Sequence, residues 1–164
     1  MIQIVRALNA DNRSAKKKPT MQELHDDTLS HQRDVQNTMG FIATKLVERS
    51  KMHDYTKLGK YLPDFYNALF NQEDPTKDSE WYKMHSTVER HHIKSHVPEN
   101  VNLIDIIECI CDCTAAAYAR GNGQPYDVDI DGKILELAVA NTVKLLQQNI
   151  EVVESEDIMQ SEIE

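Results

Sequence analysis

Apolar positions recur at three- and four-residue steps along most of this chain, which predicts helices. Between residues 20 and 50 there is no proline, and the only glycine is Gly40. Val35, Met39, Ile42, Ala43 and Leu46 share one face there, so a long amphipathic helix is expected, with His31 at the edge of that face one turn before Val35. A second helix is expected over about 58–70, carrying Leu58, Leu62, Phe65 and Leu69, its start displaced or bent by Pro63. Residues 71–79 are polar, contain Pro75 and read as a loop. Ser79 then caps a third helix in which Trp81, Met84, His85, Val88 and His92 share a face, and Pro98 breaks the chain. Asn102 caps a fourth helix over about 103–120, with Ile106, Ile107, Ile110 and Cys111 inward. The Gly121-Asn122-Gly123-Gln124-Pro125 segment is a loop, without the Gly-Lys-Ser/Thr that would follow in a phosphate-binding loop. A last helix over about 132–150 carries Ile134, Leu137, Ala138, Leu145 and Leu146. The expected fold class is all-α, a compact bundle of about five to six helices over residues 21–150. An N-terminal arm (1–20) precedes it and an acidic tail (151–164), frayed or disordered, follows. No internal repeat is present.

The chain has 164 residues, one domain's worth, with 40% hydrophobic and 27% charged positions, ordinary for a globular protein. Five glycines, five prolines and 6% aromatics argue against a strand-rich fold with many tight turns. No apolar run approaches the length of a membrane span and no signal-peptide pattern opens the chain. The expected setting is the cytoplasm of a bacterium or of a phage-infected host, with no membrane partner. The net charge of −9 argues against duplex nucleic acid as a partner, since neutralising phosphates needs a basic surface. Six of the 27 acids lie in residues 151–164; without them 21 acids face 18 bases, a net of −3. Lys16-Lys17-Lys18 reads as a solvated arm. Cys109, Cys111 and Cys113 do not have the spacing of a zinc knuckle and read as small buried or half-buried helix residues.

Candidate chemistry rests on the seven histidines: His25, His31, His53, His85, His91, His92 and His96. Several fall at the inner edges of expected helices beside carboxylates, and buried ionisable groups are costly unless paired or bound to a metal. His85 and His92 are seven apart and so point nearly the same way on a helix. Asp105 and Asp112 repeat that spacing, with Glu108 between them. Two such faces meeting across a polar pocket is how metal sites are built in helical bundles.

The string Met52-His53-Asp54-Tyr55-Thr56-Lys57 resembles the HD motif of the HD-domain metal-dependent phosphohydrolases, in the variant with Lys three places after the Asp. The stretch around Asp112 is similar to the later Asp-bearing helix of that superfamily. His85 and the pair His91-His92 resemble the extra histidines of its two-metal members. The likeness covers about residues 25–120 and is closest to small HD-like proteins of phages and bacteria. The chain departs from the cyclic-dinucleotide phosphodiesterases in the short step from His85 to His91 and in lacking a Gly-Tyr-Pro element. It departs from the deoxynucleotidases in having Lys57 where they often carry an acid.

The resemblance implies metal ligation by His31, His53, Asp54, His85, His91, His92 and Asp112. It implies catalytic roles for Asp54, which would bridge two ions, and for Lys57, which would hold a phosphate oxygen or orient Asp54. Asp105 and Glu108 are expected to support these ligands, His96 either lines the pocket or lies at the surface, and His25 has no special role. One or two divalent transition metals per chain (Mn, Fe, Co, Ni or Zn, with Mg compatible) suit such a donor set. The implied activity is hydrolysis of a nucleotide or related small phosphate ester by a metal-activated water. The alternatives are a cyclic-nucleotide or oligonucleotide phosphodiesterase, and a non-catalytic HD scaffold that binds a nucleotide or a protein partner. A homo-oligomer stays open.

Overall fold

The computed structural model describes residues 1–6, 18–71, 79–121 and 128–154. The fold is all-α in class. Five helices are present among the described residues: α1 (Met21–Met52), α2 (Leu62–Phe70), α3 (Glu80–Val88), α4 (Leu103–Arg120) and α5 (Gly132–Gln147). Two short 3-10 turns, Tyr55–Lys57 and Gly59–Tyr61, lead from α1 to α2. Two strands that the hydrophobic pattern did not announce, β1 (Ile2–Val5) and β2 (Ile150–Val153), pair in parallel. No helix among the described residues is long and apolar enough to cross a membrane.

The chain divides into two units, residues 1–44 with 144–164, and residues 45–143. In the first unit the expected arm and tail contribute the two strands, in the register Ile2↔Ile150 to Val5↔Val153. The tail therefore begins as ordered strand through Val153, and only its residues 155–164 lie outside the described residues. Ile2 is buried, and the Val5 N–H donates to Asp34 Oδ1 at 3.3 Å. Thr20 and Glu23 close a reciprocal cap on α1: the Thr20 N–H donates to Glu23 Oε2 and the Glu23 N–H to Thr20 Oγ1. Most of the Lys16–Lys18 run, most of the 71–79 loop and most of the glycine loop after Gly121 lie outside the described residues.

The second unit is built around Ile93, Val101, Ile106, Cys109 and Ala138, with Leu103, Cys113, Val128, Ile130 and Ile134 packed against them. Each large aliphatic side chain buried there contributes roughly 1.5–3 kcal/mol. The expected caps form. Ser79 Oγ accepts the Tyr82 N–H, and Asn102 with Asp105 makes a capping box at the start of α4. From α5, Thr142 Oγ1 accepts the Leu103 N–H at 2.9 Å and Asn141 Nδ2 donates to the Val101 carbonyl, which ties down the entry to α4. Pro63 sits in the first turn of α2, where its missing N–H costs nothing; the helix starts at Leu62 and residues 58–61 turn tightly before it.

Several inward faces differ from the periodic expectation. On α4 the buried residues are Ile104, Asp105, Ile106, Glu108, Cys109 and Ala117, while Ile107, Ile110 and Cys111 are exposed. The helix is turned so that its acids face inward, because they have partners there: Arg90 grips Asp105 through two nitrogens, and Arg49 reaches both Asp105 and Glu108. α1 has no buried residue, and Val35 and Met39 are exposed, Met39 at 66%. Leu58, Leu62 and Leu69 are likewise exposed; from α2 only Ala68 is buried, and Phe65 lies against Trp81 at 4.6 Å.

Candidate metal centre

The site lies wholly in the second unit. Glu23 stands in the first turn of α1 and Arg49 and Lys51 in the last, the polarity that suits the helix dipole. The helix ends at Met52, and Asp54 then takes a left-handed conformation, φ 58°, which Asp tolerates better than most residues. The 3-10 turn that follows carries Thr56 and Lys57. α3 contributes His85, and the tight turn after it, held by the Glu89 N–H to His85 O and His92 N–H to Glu89 O bonds, contributes His91 and His92. The turn breaks the helix before His91. The seven-residue helical step from His85 to His92 is therefore not what brings their rings together. α4 contributes Glu108 and Asp112.

Two donor sets result, each with ligand atoms within 4.8 Å of one another: Asp54, His85, His91 and His92, and His53, His91 and Asp112. They share His91. His85 and His92 meet Nε2 to Nε2 at 2.7 Å. Asp54 Oδ1 lies 3.7 Å from His85 Nε2 and 3.8 Å from His91 Nε2. His53 Nε2 stands 3.5 Å from a carboxylate oxygen of Asp54 and equally far from one of Asp112. Four buried atoms have no hydrogen-bond partner among the described residues: Asp54 Oδ1, both ring nitrogens of His91, and Glu108 Oε2. Native interiors rarely leave such atoms unpaired, and three of the four belong to Asp54 and His91, where the two sets converge. Imidazoles and carboxylates in such sets could hold a metal ion.

The protonation states are arranged accordingly. Burial, together with the neighbouring His92, pushes His85 down to about 3, and burial beside His91 pushes His92 down to about 4. Both rings are neutral at ordinary pH, the form that ligates. His53 is the opposite case: hydrogen bonding to Asp112 and then Glu108 raises it to about 10. Burial alone would push Glu108 up, but the hydrogen bond from His53 and the nearness of the His91 ring and Arg49 outweigh it and hold the group at about 2. Asp112 is lowered, chiefly by His53. Without a metal, one proton on His53 serves as the counter-charge of the carboxylates.

Six of the seven ligands expected from sequence, His53, Asp54, His85, His91, His92 and Asp112, come together. The seventh, His31, belongs to the first unit, is exposed, and is in neither cluster. α1 runs unbroken from Met21 through Met52, so the histidine expected on a preceding helix shares the element that leads into His53. Lys57 Nζ bonds Asp54 Oδ2 at 2.6 Å. Glu108 accepts from His53 Nδ1 at 3.0 Å, the supporting place expected of it, whereas Asp105 is engaged by Arg49, Arg90 and the α4 cap. His96 and His25 are exposed, His25 beside Asp26. Cys109 is buried, its thiol pushed up to about 11 by burial and by Cys113, and Cys111 is exposed.

Sequence reasoning passed over four residues of this centre. Arg49 neutralises Glu108 and Asp105. Thr56, Glu89 and Trp81 enclose His85: Thr56 Oγ1 lies 2.6 Å from His85 Nδ1, Glu89 Oε1 accepts from both the N–H and the hydroxyl of Thr56, and the Trp81 ring stacks on His85 at 4.6 Å. The available signals were Thr56 inside the His-Asp string and Glu89 two places before His91. Beside His53 and Asp112 opens a groove of about 520 Å³ walled by Leu46, Val47, Ile107 and Ala115.

The chain belongs to the DUF5662 family, a family of unknown function, which matches it over residues 20–161. No curated protein and no solved structure matches the chain.

Proposed function

We propose that this protein is a metal-dependent phosphohydrolase that cleaves a nucleotide or related small phosphate ester, in the manner of the HD-domain enzymes whose motif His53-Asp54 resembles. The observation that carries the reading is the pair of donor sets sharing His91, with buried, unpartnered atoms of Asp54 and His91 between them. One ion would be held by His53, His91 and Asp112 and a second by Asp54, His85, His91 and His92, with His91 taking one or the other. Bound divalent metal supplies charge for phosphate oxygens and a hydroxide from water near neutral pH. The chain's own residues do the rest. Glu108 holds the His53 ring with Nε2 forward, since its carboxylate accepts the hydrogen bond from Nδ1–H. Lys57, ion-paired to Asp54 and partly exposed, is placed to exchange that partner for a phosphate oxygen. The groove beside His53 and Asp112 offers apolar walls to the organic part of a substrate. A cytoplasmic setting, in a bacterium or a phage-infected cell, belongs to the same reading.

The test joins elemental analysis of the purified protein with a hydrolysis screen of nucleotides in Mn²⁺, Mg²⁺, Co²⁺ and Ni²⁺. The expected result is one or two ions per chain and metal-dependent phosphate release that chelator abolishes. A protein that takes up no metal on titration overturns the reading. One that binds metal and hydrolyses nothing in the screen favours the scaffold alternative.

A further inference from the structure

We propose that Glu89 and Thr56 form a positioning relay that fixes the tautomer of His85 and so aims its Nε2 at the metal cluster; the role in metal binding rests on the metal reading above. Thr56 is fully buried, His85 is 1% exposed and Glu89 5%, so no solvent competes for their protons. A threonine hydroxyl has one proton to donate and lone pairs to accept. Glu89 Oε1 lies 2.7 Å from Thr56 Oγ1 and 3.0 Å from the Thr56 nitrogen. If the hydroxyl proton turned away from Glu89, carboxylate and hydroxyl oxygens would face each other across 2.7 Å with no proton between them, inside a buried site. The proton therefore goes to Glu89, and the Thr56 lone pair is left facing His85 Nδ1 at 2.6 Å. That contact needs a proton on Nδ1. A neutral imidazole has only one, so Nε2 is left with a bare lone pair, directed at His92 Nε2 and Asp54 Oδ1.

The geometry is over-determined. The Trp81 ring stacks on His85 with an interplanar angle of 15°, and its Nε1–H donates to the Thr56 carbonyl at 3.1 Å. One residue thus holds both the ring and the backbone that presents the hydroxyl. Metal-ligating histidines commonly donate their other nitrogen to a carboxylate or carbonyl. Here the carboxylate acts through an intervening hydroxyl, while His53 reaches its own carboxylate, Glu108, directly. The two sets are supported independently.

The experiment has two arms on the full-length protein. In the first, histidine ¹⁵N NMR of the metal-free protein reads the tautomer of His85. The parent and Thr56→Ser are expected to carry the proton on Nδ1, Thr56→Val to shift it to Nε2 or to a mixture, and Glu89→Gln, whose amide can donate to Oγ1, to give a mixture. A parent with the proton on Nε2, or a Thr56→Val protein with the parent's tautomer, overturns the relay, and a Glu89→Gln protein with the parent's tautomer overturns the part given to Glu89. In the second arm, Co²⁺ alone is titrated and followed by its visible absorption. Thr56→Val is expected to bind one ion roughly 10–100-fold more weakly, with Thr56→Ser restoring parent affinity. Equal binding by Thr56→Val overturns the positioning role. A parent that takes up no Co²⁺ overturns the metal reading itself, and the tautomer arm reads separately from it.

Discussion

Replacing Asp54 by Asn separates metal binding from folding. Asp54 lies at φ 58°, a region Asn enters about as readily as Asp, whereas Ala there would add about 1–2 kcal/mol of backbone strain and blur the result. In the metal-free protein the carboxylate pairs with Lys57 at 2.6 Å and stands 3.5 Å from His53 Nε2. Its attraction to a partly exposed lysine contributes up to about 1 kcal/mol. Repulsion from Asp112 does not dominate, because the protonated His53 stands 3.5 Å from both carboxylates. Asp54→Asn should therefore melt within a few degrees of the parent when chelator is present. With metal the balance changes. A unit charge about 4 Å from another contributes about 4 kcal/mol at an effective dielectric of 20, and a divalent ion doubles the charge felt. Affinity should fall by about a thousandfold or more on that arithmetic. The assay is a Co²⁺ or Mn²⁺ titration paired with thermal melting, each with and without chelator. The parent should gain melting temperature on adding metal and Asp54→Asn should not. A variant that binds metal with parent affinity would refute the assignment of Asp54 as a ligand.

Metal uptake should release protons. His53 keeps its proton up to about 10, while His85 and His92, at about 3 and about 4, have none to lose near neutrality. Calorimetry in buffers of different ionisation enthalpy should find close to one proton released per ion bound at His53 between pH 7 and 9, with affinity rising about tenfold per pH unit; release of none would contradict it. The same raised value stabilises the metal-free fold fully below the ordinary histidine range, and that contribution is lost as pH rises through about 10, so the chelated protein should melt lower at pH 10.5 than at pH 7. Lys57→Ala should keep its metal content and lose turnover on any substrate found, since an ammonium cannot ligate; loss of the metal would instead show that the lysine mainly holds Asp54 in place. Truncation after Glu154 keeps β2 whole and should leave metal uptake unchanged, whereas a cut before Ile150 removes the partner of β1 and should lower the melting temperature.

The residue types and order along the chain already determined the helical class and most of the candidate centre. Six of the seven expected ligands meet, because histidines and carboxylates that leave water must find charge partners or a cation. The caps at Ser79 and Asn102 were legible for a local reason: a short polar side chain satisfies the free N–H groups of the turn that follows it. What the chain could not disclose locally is how each helix rotates about its own axis. Periodicity turned Ile107, Ile110 and Cys111 of α4 inward, yet the structure buries Asp105 and Glu108 instead. Leaving an isoleucine half exposed forfeits part of roughly 1.5–3 kcal/mol, whereas a buried carboxylate is tolerable only where Arg49, Arg90 and His53 already wait for it. Those partners lie 15 to 59 positions away in the sequence. The pairing of residues 2–5 with 150–153 and the contacts of Thr56 with His85 and Glu89 were hidden for the same reason. Each is a contact between distant segments whose worth arises only when tertiary packing has excluded the water that would otherwise satisfy every one of those groups.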